Sequence, residues 1–187
     1  MKILIAIDSF KGSLTSLEAG NAVKTGIKKA IPNAQVSVEM LADGGEGTVE
    51  ALTFAKKGKL INVRVHGPRH KIVNAQYGFI KNEKLAIIEM SKASGITLLK
   101  KNELNPLYTS TFGVGELIID ALNKGAKKFI VGIGGSATND GGVGMLEALG
   151  FKFLDSNNEV IKRGAIGLQD LISINNDNVI SELSDCV

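Results

Sequence analysis

The sequence predicts an α/β protein, in which strand and helix alternate at both ends and a run of paired strands interrupts them. Three observations carry this expectation. The chain opens on an unbroken apolar run, Lys2-Ile3-Leu4-Ile5-Ala6-Ile7, as in parallel strands covered on both faces. Strand-like and helix-like periodicities then alternate along the chain. Between about residues 60 and 90, three strand-like runs follow one another with only short polar turns between them.

The first run ends at Asp8, and the loop SFKGSL follows. Thr15 and Glu18 stand at capping-box spacing and mark a helix start. Ala19, Val23, Gly26, Ile27 and Ala30 recur at helical spacing until Pro32-Asn33 ends the helix. Val36, Val38 and Met40 alternate with Ser37 and Glu39, which predicts a second strand. After the loop ADGGEG a second helix is expected from about Thr48 to Lys57, capped by Gly58. The runs LINVRVHG, KIVNAQYGFI and KLAIIEM, separated by GPRH and KNE, read as a meander rather than a βαβ unit. Alternation returns with a helix near Phe112 to Asn123, a stop at Lys124-Gly125 and a strand from Lys128 to Ile133. A glycine-rich loop, a helix ending near Leu149 and a strand from Phe151 to Leu154 complete the pattern. Ser173 to Val187 holds strand-like and helix-like fragments without a closing element. The change of texture places a domain seam near residues 58 to 62.

The 187 residues are 44% hydrophobic and 22% charged, the balance of a globular protein with a real core. Aromatics make up 5% and tryptophan is absent, so that core is aliphatic. A net charge of +3, with no block of like charge, does not point to nucleic acid. The lone cysteine, Cys186, excludes an intrachain disulfide framework. No apolar run approaches the roughly 20 residues of a membrane helix, and nothing resembles a signal-peptide core, so a cytoplasmic protein is expected. His66 and His70 flank the GPR turn without an acidic partner at metal-ligand spacing, and exposure is expected for both.

Three loops repeat one plan: an apolar strand, then glycine mixed with hydroxyl and carboxylate residues, then a helix. They are DSFKGSLTS (8–16), ADGGEGT (42–48) and GGSATNDGG (134–142). In open α/β sheets such loops gather beyond the carboxyl ends of the strands, where ligands bind. Helix-start amides favour an anion, and glycine lets a backbone approach phosphate oxygens closely. Six of the thirteen residues from Gly132 to Gly144 are glycine, which is costly if Gly141, Gly142 and Gly144 form first helical turns. A phosphate or nucleotide site explains that cost. The alternative is close helix-strand packing with Asn139 or Asp140 as a cap. A carboxylate beside phosphates needs a bridging divalent cation, which suits metal-assisted phosphoryl transfer. Lys11 is placed to neutralise charge growing during transfer, or is a solvated surface lysine. Asp8 suits a base, a metal ligand or an Asx cap. Asp43 and Glu46 bracket two glycines, and such a carboxylate can accept a hydroxyl proton; an acid-decorated turn is the alternative. Glu89-Met90-Ser91-Lys92-Ala93-Ser94-Gly95 ends the third meander strand and can reach the same cleft. Thr109, Ser110, Thr111 and Glu116 open the next helix, where capping accounts for the hydroxyls. A rival reading takes Gly132-Ile133-Gly134-Gly135-Ser136-Ala137 with Asp155, 23 positions beyond Gly132, as a dinucleotide fingerprint with its ribose-binding acid. The rival function is then a nicotinamide-dependent oxidoreductase.

Taken together, DSFKGSL, ADGGEGT, EMSKASG, NPLYTSTFGVGELI and GIGGSATNDGG, in this order, resemble the bacterial type 1 glycerate kinases over essentially the whole chain. The resemblance implies phosphorylation of D-glycerate to a phosphoglycerate by ATP with Mg2+. It implies a two-domain α/β fold: residues 1–60 as part of a flavodoxin-like parallel-sheet domain, and 61–187 as a second, mixed-sheet α/β domain. The motifs assign Asp8, Ser9, Lys11 and Ser13 to the first cleft loop and Asp43, Gly44, Gly45 and Glu46 to the second. Glu89, Ser91, Ser94 and Gly95 fall in the third, and Gly134, Gly135, Ser136, Thr138, Asn139, Asp140 and Gly141 in the last. On this reading Asp43, Lys11 and Asp8 are catalytic, and Gly134 to Gly142 cradle the nucleotide with Asp140 on the metal. Ser9, Ser13, Glu46, Ser91 and Ser94 contact substrate. No nucleic acid or membrane partner is implied, and a homo-oligomer is left open. Ile7 stands where the family commonly has proline, and Leu104 where arginine is usual, removing any anion contact by that side chain. Family members are longer, so an N-terminal part with little activity alone, or a non-catalytic nucleotide-binding piece, is also expected.

Overall fold

Two parallel strands open the structure: β1 (Lys2–Ile7) and β2 (Gln35–Met40) pair from Lys2–Gln35 to Ile7–Met40. The structure, a computed structural model, describes residues 1–187 apart from Lys11, Gly12 and Ala42. The crossover is α1 (Ser16–Ala30), started by the expected capping box. Thr15 Oγ1 accepts the Glu18 amide at 3.2 Å, and Glu18 Oε2 accepts the Thr15 amide at 2.8 Å, so two orphan donors are satisfied reciprocally. Ala19 and Gly20 form the buried stripe of α1, which lies on β2.

The meander is β3 (Lys59–His66), β4 (Ile72–Ile80) and β5 (Leu85–Glu89), paired antiparallel in sequence order. A fourth strand, β6 (Lys128–Gly132), then adds in parallel beside β5, giving the sheet order β3-β4-β5-β6. The long connection from β5 to β6 includes the short α3 (Ser91–Ser94) and α4 (Phe112–Asn123). Every residue of β5 is buried, and its alternation feeds two cores. Ala86 and Ile88 join Val65, Tyr77 and the α4 residues Val114, Leu117 and Ala121. Leu85 and Ile87 face the other way, onto Ile80 and Val49, with Leu52 against them. Val49 and Leu52 belong to α2 (Thr48–Ala55), so helices cover both faces of β5. Full burial of an Ile or Leu contributes about 1.5–3 kcal/mol, so β5 is the strand around which this half of the molecule condenses.

α2 ends earlier than expected. Lys57, not Gly58, takes the left-handed position (φ 54), with the Gly58 amide donating to Thr53 O at 2.8 Å. This is a Schellman closure with lysine where glycine is usual. Gly58 is needed for another reason: a Cβ there would lie 3.0 Å from Phe79 O on β4.

After β6 come α5 (Val143–Ala148) and a small antiparallel pair, β7 (Lys152–Leu154) with β8 (Ser173–Asn175). The strand expected to reach Ile133 stops at Gly132. Val187 closes on the outer side of β6, its amide donating to Lys127 O and its carbonyl accepting the Phe129 amide. Among the described residues, no helix is long and apolar enough to cross a membrane.

Candidate active site

The loops that leave β2, β5 and β6 meet at one place. The Gly134 amide donates to Gly44 O at 2.9 Å, and the Met90 amide to Gly132 O at 2.9 Å. The Ile96 amide donates to Gly135 O at 3.0 Å, and the Ala137 amide to Ser94 O at 2.9 Å. The glycines permit this backbone-on-backbone contact. A Cβ on Gly132 would stand 2.5 Å from Gly44 O, and one on Gly134 2.7 Å from Gly45 Cα. For these two positions close packing, rather than room for phosphate, explains the absence of a side chain.

Asp8 follows β1 at the end where Ile7 pairs with Met40, so Asp8 and Asp43 leave the same edge of the parallel pair. Both are exposed. Asp8 Oδ1 accepts the Ser9 amide, and Asp43 Oδ1 accepts the Gly45 amide, each at 2.7 Å, which fixes one oxygen of each carboxylate on its own loop. Lys11, expected as the charge-stabilising cation, lies outside the described residues.

Asp140 differs from expectation. Its side chain is 1% exposed and surrounded by donors. Oδ2 accepts the Thr111 amide at 2.8 Å, Thr111 Oγ1 at 2.9 Å and the Gly144 amide at 3.2 Å; Oδ1 accepts the Gly142 amide at 3.2 Å. Thr111 Oγ1 in turn accepts the Met145 amide at 2.9 Å. Asp140 and Thr111 therefore cap α5 together, through the Gly144 and Met145 amides, and Asp140 also holds the amide of Thr111, the residue that begins α4; the carboxylate is buried among these donors. Gly141 and Gly142 are left-handed (φ 61 and 80) and precede α5, instead of forming its first turn. The capping alternative thus holds for Asp140. Among the described residues, no group of three His, Cys, Asp or Glu side chains is arranged to hold a metal ion. Mg2+ does not require one, because it is commonly held by one or two carboxylates together with substrate phosphates.

The remainder of the loop is knitted to itself: Ser136 Oγ lies 2.7 Å from Thr138 Oγ1 and accepts the Thr138 amide at 3.0 Å. Gly135 and Asn139 stand at the surface.

Beside the loops lies a cleft of about 720 Å³ between the start of α1, α2 and the start of β3. Ser9, Ser13 and Glu46, three of the expected substrate contacts, line it together with Phe10, Phe54 and Leu60. The other two turn inward: Ser91 Oγ donates to Glu89 Oε2 at 3.3 Å, and the buried Ser94 Oγ to Met90 O at 3.1 Å. Lys92, from the segment expected to reach this cleft, also lines it, together with Glu50, which the sequence did not single out. Lys92 Nζ is 2.8 Å from Glu50 Oε1 and 3.8 Å from Glu89 Oε2. Burial works against the Lys92 charge, but Glu50 and Glu89 outweigh it and hold the ammonium above its usual range. Glu89 is fully buried, and burial pushes its carboxyl up, opposed by the Val49 amide and Lys92. Nothing local in EMSKASG pairs Lys92 with Glu50, 42 residues away; that meeting is tertiary.

Two further expectations are corrected. His66 is half-buried and does have an acidic partner: its Nδ1 lies 2.8 Å from Glu116 Oε1, and its amide donates to Glu116 Oε2. Asp155 does not serve a dinucleotide. β7 pairs with β8 in a two-stranded antiparallel sheet separate from that of β6, and Asp155 Oδ1 accepts the Asn157 and Glu159 amides of its own turn. A ribose-binding acid must end the strand next to the glycine-loop strand in one parallel sheet.

Fold and loops together define an α/β protein in which the loops leaving β2, β5 and β6 meet in backbone contact. The chain belongs to the glycerate kinase family, whose sequence pattern it matches over residues 3–187. It is 47% identical over 183 residues to a glycerate kinase of Bacillus subtilis, covering 98% of this chain and 48% of the relative. It is 46% identical over 187 residues to the glycerate 2-kinase of Escherichia coli, covering 49% of that protein. Its fold matches the crystal structure of a glycerate kinase 2 candidate from Salmonella typhimurium LT2 with a TM-score of 0.84 at 46% identity. That match covers all of this chain and 50% of the other. The chain spans about half the length of the curated relatives it matches.

Proposed function

We propose that this chain carries nucleotide- and substrate-handling loops of a glycerate kinase, which transfers the γ-phosphoryl group of ATP to a hydroxyl of D-glycerate. One observation supports this above others: the Asp43–Gly47 loop lies in backbone contact with the Gly132–Ala137 loop, so an acid and an amide-rich loop share one site. The names of the relatives supply the substrate.

In this reading the glycerate hydroxyl oxygen attacks the γ-phosphorus as the bond to the β–γ bridging oxygen breaks, leaving ADP. Asp43 accepts the hydroxyl proton through its outer oxygen, with Asp8 as the neighbouring carboxylate at the same strand edge. Lys11, by its place in the first loop, balances charge on the transferring group. Gly134, Gly135, Ser136, Thr138, Asn139, Gly141 and Gly142 form the nucleotide loop, and Asp140 supports it from beneath as a cap. The exposed carboxylates Asp8, Asp43 and Glu46 are the groups of which one or two would hold Mg2+ together with the substrate phosphates, whose charge it would neutralise. Ser9, Ser13 and Glu46 contact substrate from the cleft wall. Residues 1–60 and 61–187 are read as parts of two domains in a cytoplasmic protein.

The test is ATP-dependent phosphorylation of D-glycerate by the chain, compared with Asp43→Asn. Removing a general base costs about 10²–10⁴-fold in turnover, with Mg·ATP affinity unchanged. Equal loss of turnover and ATP affinity transfers the role to Asp8. A chain that binds neither Mg·ATP nor D-glycerate overturns the reading, and nucleotide binding without turnover reduces it to a nucleotide-binding part.

A further inference from the structure

We propose that Glu89 is a positioning residue: from the buried end of β5 it grips the first turn of α2 and so sets where the Asp43–Gly47 loop stands against the glycine loop. The proposal rests on the kinase reading of those two loops.

A carboxylate with 0% exposure is rare unless its charge is answered by donors. Glu89 has three neighbours of that kind. Oε1 accepts the Val49 amide at 2.7 Å, across 40 residues of sequence; Oε2 accepts Ser91 Oγ at 3.3 Å and faces Lys92 Nζ at 3.8 Å. Lys92 Nζ reaches Glu50 Oε1 at 2.8 Å. Consecutive residues of α2, Val49 and Glu50, are thus held by Glu89 and Lys92 from the far side of the loop.

The local sequence leaves this grip necessary. The N-cap of α2 is Gly47, left-handed (φ 94) and without a side-chain cap; the loop satisfies the Thr48 amide through Gly45 O at 3.2 Å, and the Val49 amide is answered by Glu89. Glu89 supplies the anion that a helix start favours. A cap from within the loop would stabilise the helix alone; one from β5 also fixes the helix against the sheet. From there the path continues by hydrogen bonds. The Gly44 amide donates to Thr48 Oγ1 at 3.1 Å, and Gly44 O accepts the Gly134 amide at 2.9 Å. Glu89, Val49, Thr48, Gly44 and Gly134 form one connected line from the core of the sheet to the loops, with Asp43 beside it.

Hydrogen exchange on the intact, unliganded chain tests this, comparing wild type with Glu89→Ala, Glu89→Gln and Glu89→Asp. The amide oxygen of glutamine still accepts from Val49, whereas aspartate is too short to reach. Loss of one charge-assisted hydrogen bond speeds exchange of residues 43–50 by about tenfold or more in the Ala and Asp variants. Protection of α4 is expected to stay as in wild type, and the Gln variant to restore most of it at 43–50. Should Glu89→Ala not fold, the Asp and Gln pair decides. Exchange rising equally across β4 and α4, or a Gln variant looser than the Asp one, overturns the proposal. Calorimetric titration with D-glycerate and with Mg·ATP separates the two layers. Wild type that binds neither overturns the kinase reading and leaves the exchange result standing. Binding undiminished in Glu89→Asp while residues 43–50 are loosened overturns the positioning role.

Discussion

Replacing Gly132 by alanine tests the central geometric claim, that two loops meet backbone to backbone. The added Cβ would lie 2.5 Å from Gly44 O, 3.0 Å from Gly44 C and 3.1 Å from Gly44 Cα. All three are main-chain atoms, so no side chain can swing aside. Gly132 is also fixed in the sheet opposite Glu89 and accepts the Met90 amide, so it cannot retreat easily. Forced overpacking of this kind costs about 1–3 kcal/mol. Prising the loops apart also breaks the bond from the Gly134 amide to Gly44 O, about 0.5–1.5 kcal/mol more. The sum, about 1.5–4.5 kcal/mol, corresponds to a urea midpoint lower by roughly 0.8–2.2 M for a slope near 2 kcal/mol per M. Gly26→Ala is the matched control. It lies in α1 with nothing within 4 Å of its Cβ, and the substitution is expected to stabilise by about 0.5–1 kcal/mol. Urea unfolding followed by circular dichroism, with exchange mapping of residues 43–47 and 132–137, measures both. A Gly132→Ala chain as stable as wild type, with unchanged exchange in both segments, refutes the contact.

Asp140→Ala removes the carboxylate that caps α5 and holds the residue beginning α4, leaving the Thr111, Gly142 and Gly144 amides without their acceptor, an expected loss of about 2–4 kcal/mol in the same urea experiment; a loss below about 0.5 kcal/mol would return Asp140 to the cleft. Thr15→Ala breaks the capping box of α1 and is expected to cost about 1 kcal/mol, and an unchanged midpoint would mean that α1 is held by packing alone. Because burial raises the Glu89 carboxyl above its ordinary 4.5, the folded chain holds that proton more tightly than the unfolded chain. The stability of wild type relative to Glu89→Gln is therefore greatest below pH 4.5 and falls as pH rises through the raised value. A difference that instead grows with pH, in urea midpoints taken from pH 4 to 8, contradicts the assignment.

Much of this molecule is written locally. The capping box at Thr15 and Glu18, the alternation of Val36, Val38 and Met40, the meander and the stop at Gly125 each follow from forces acting over a few residues, and each stands as expected. The motifs also announced which loops matter, because glycine, hydroxyl and carboxylate residues at strand ends have few other uses. What they could not announce is what each glycine or carboxylate faces. Gly132 and Gly134 looked like room for phosphate, and the fold spends that room on Gly44 and Gly45. Asp140 looked like a metal ligand; the approach of α4, nearly 30 residues upstream, turned it into a buried cap. Lys92 and Glu50 gave no sign of each other, nor Glu89 of Val49. The sequence alone determined the elements and the candidate loops, since hydrogen bonding and hydrophobic periodicity act between neighbours along the chain. Only the tertiary structure decided which polar groups are buried together, because desolvation and pairing depend on what arrives from distant parts of the chain.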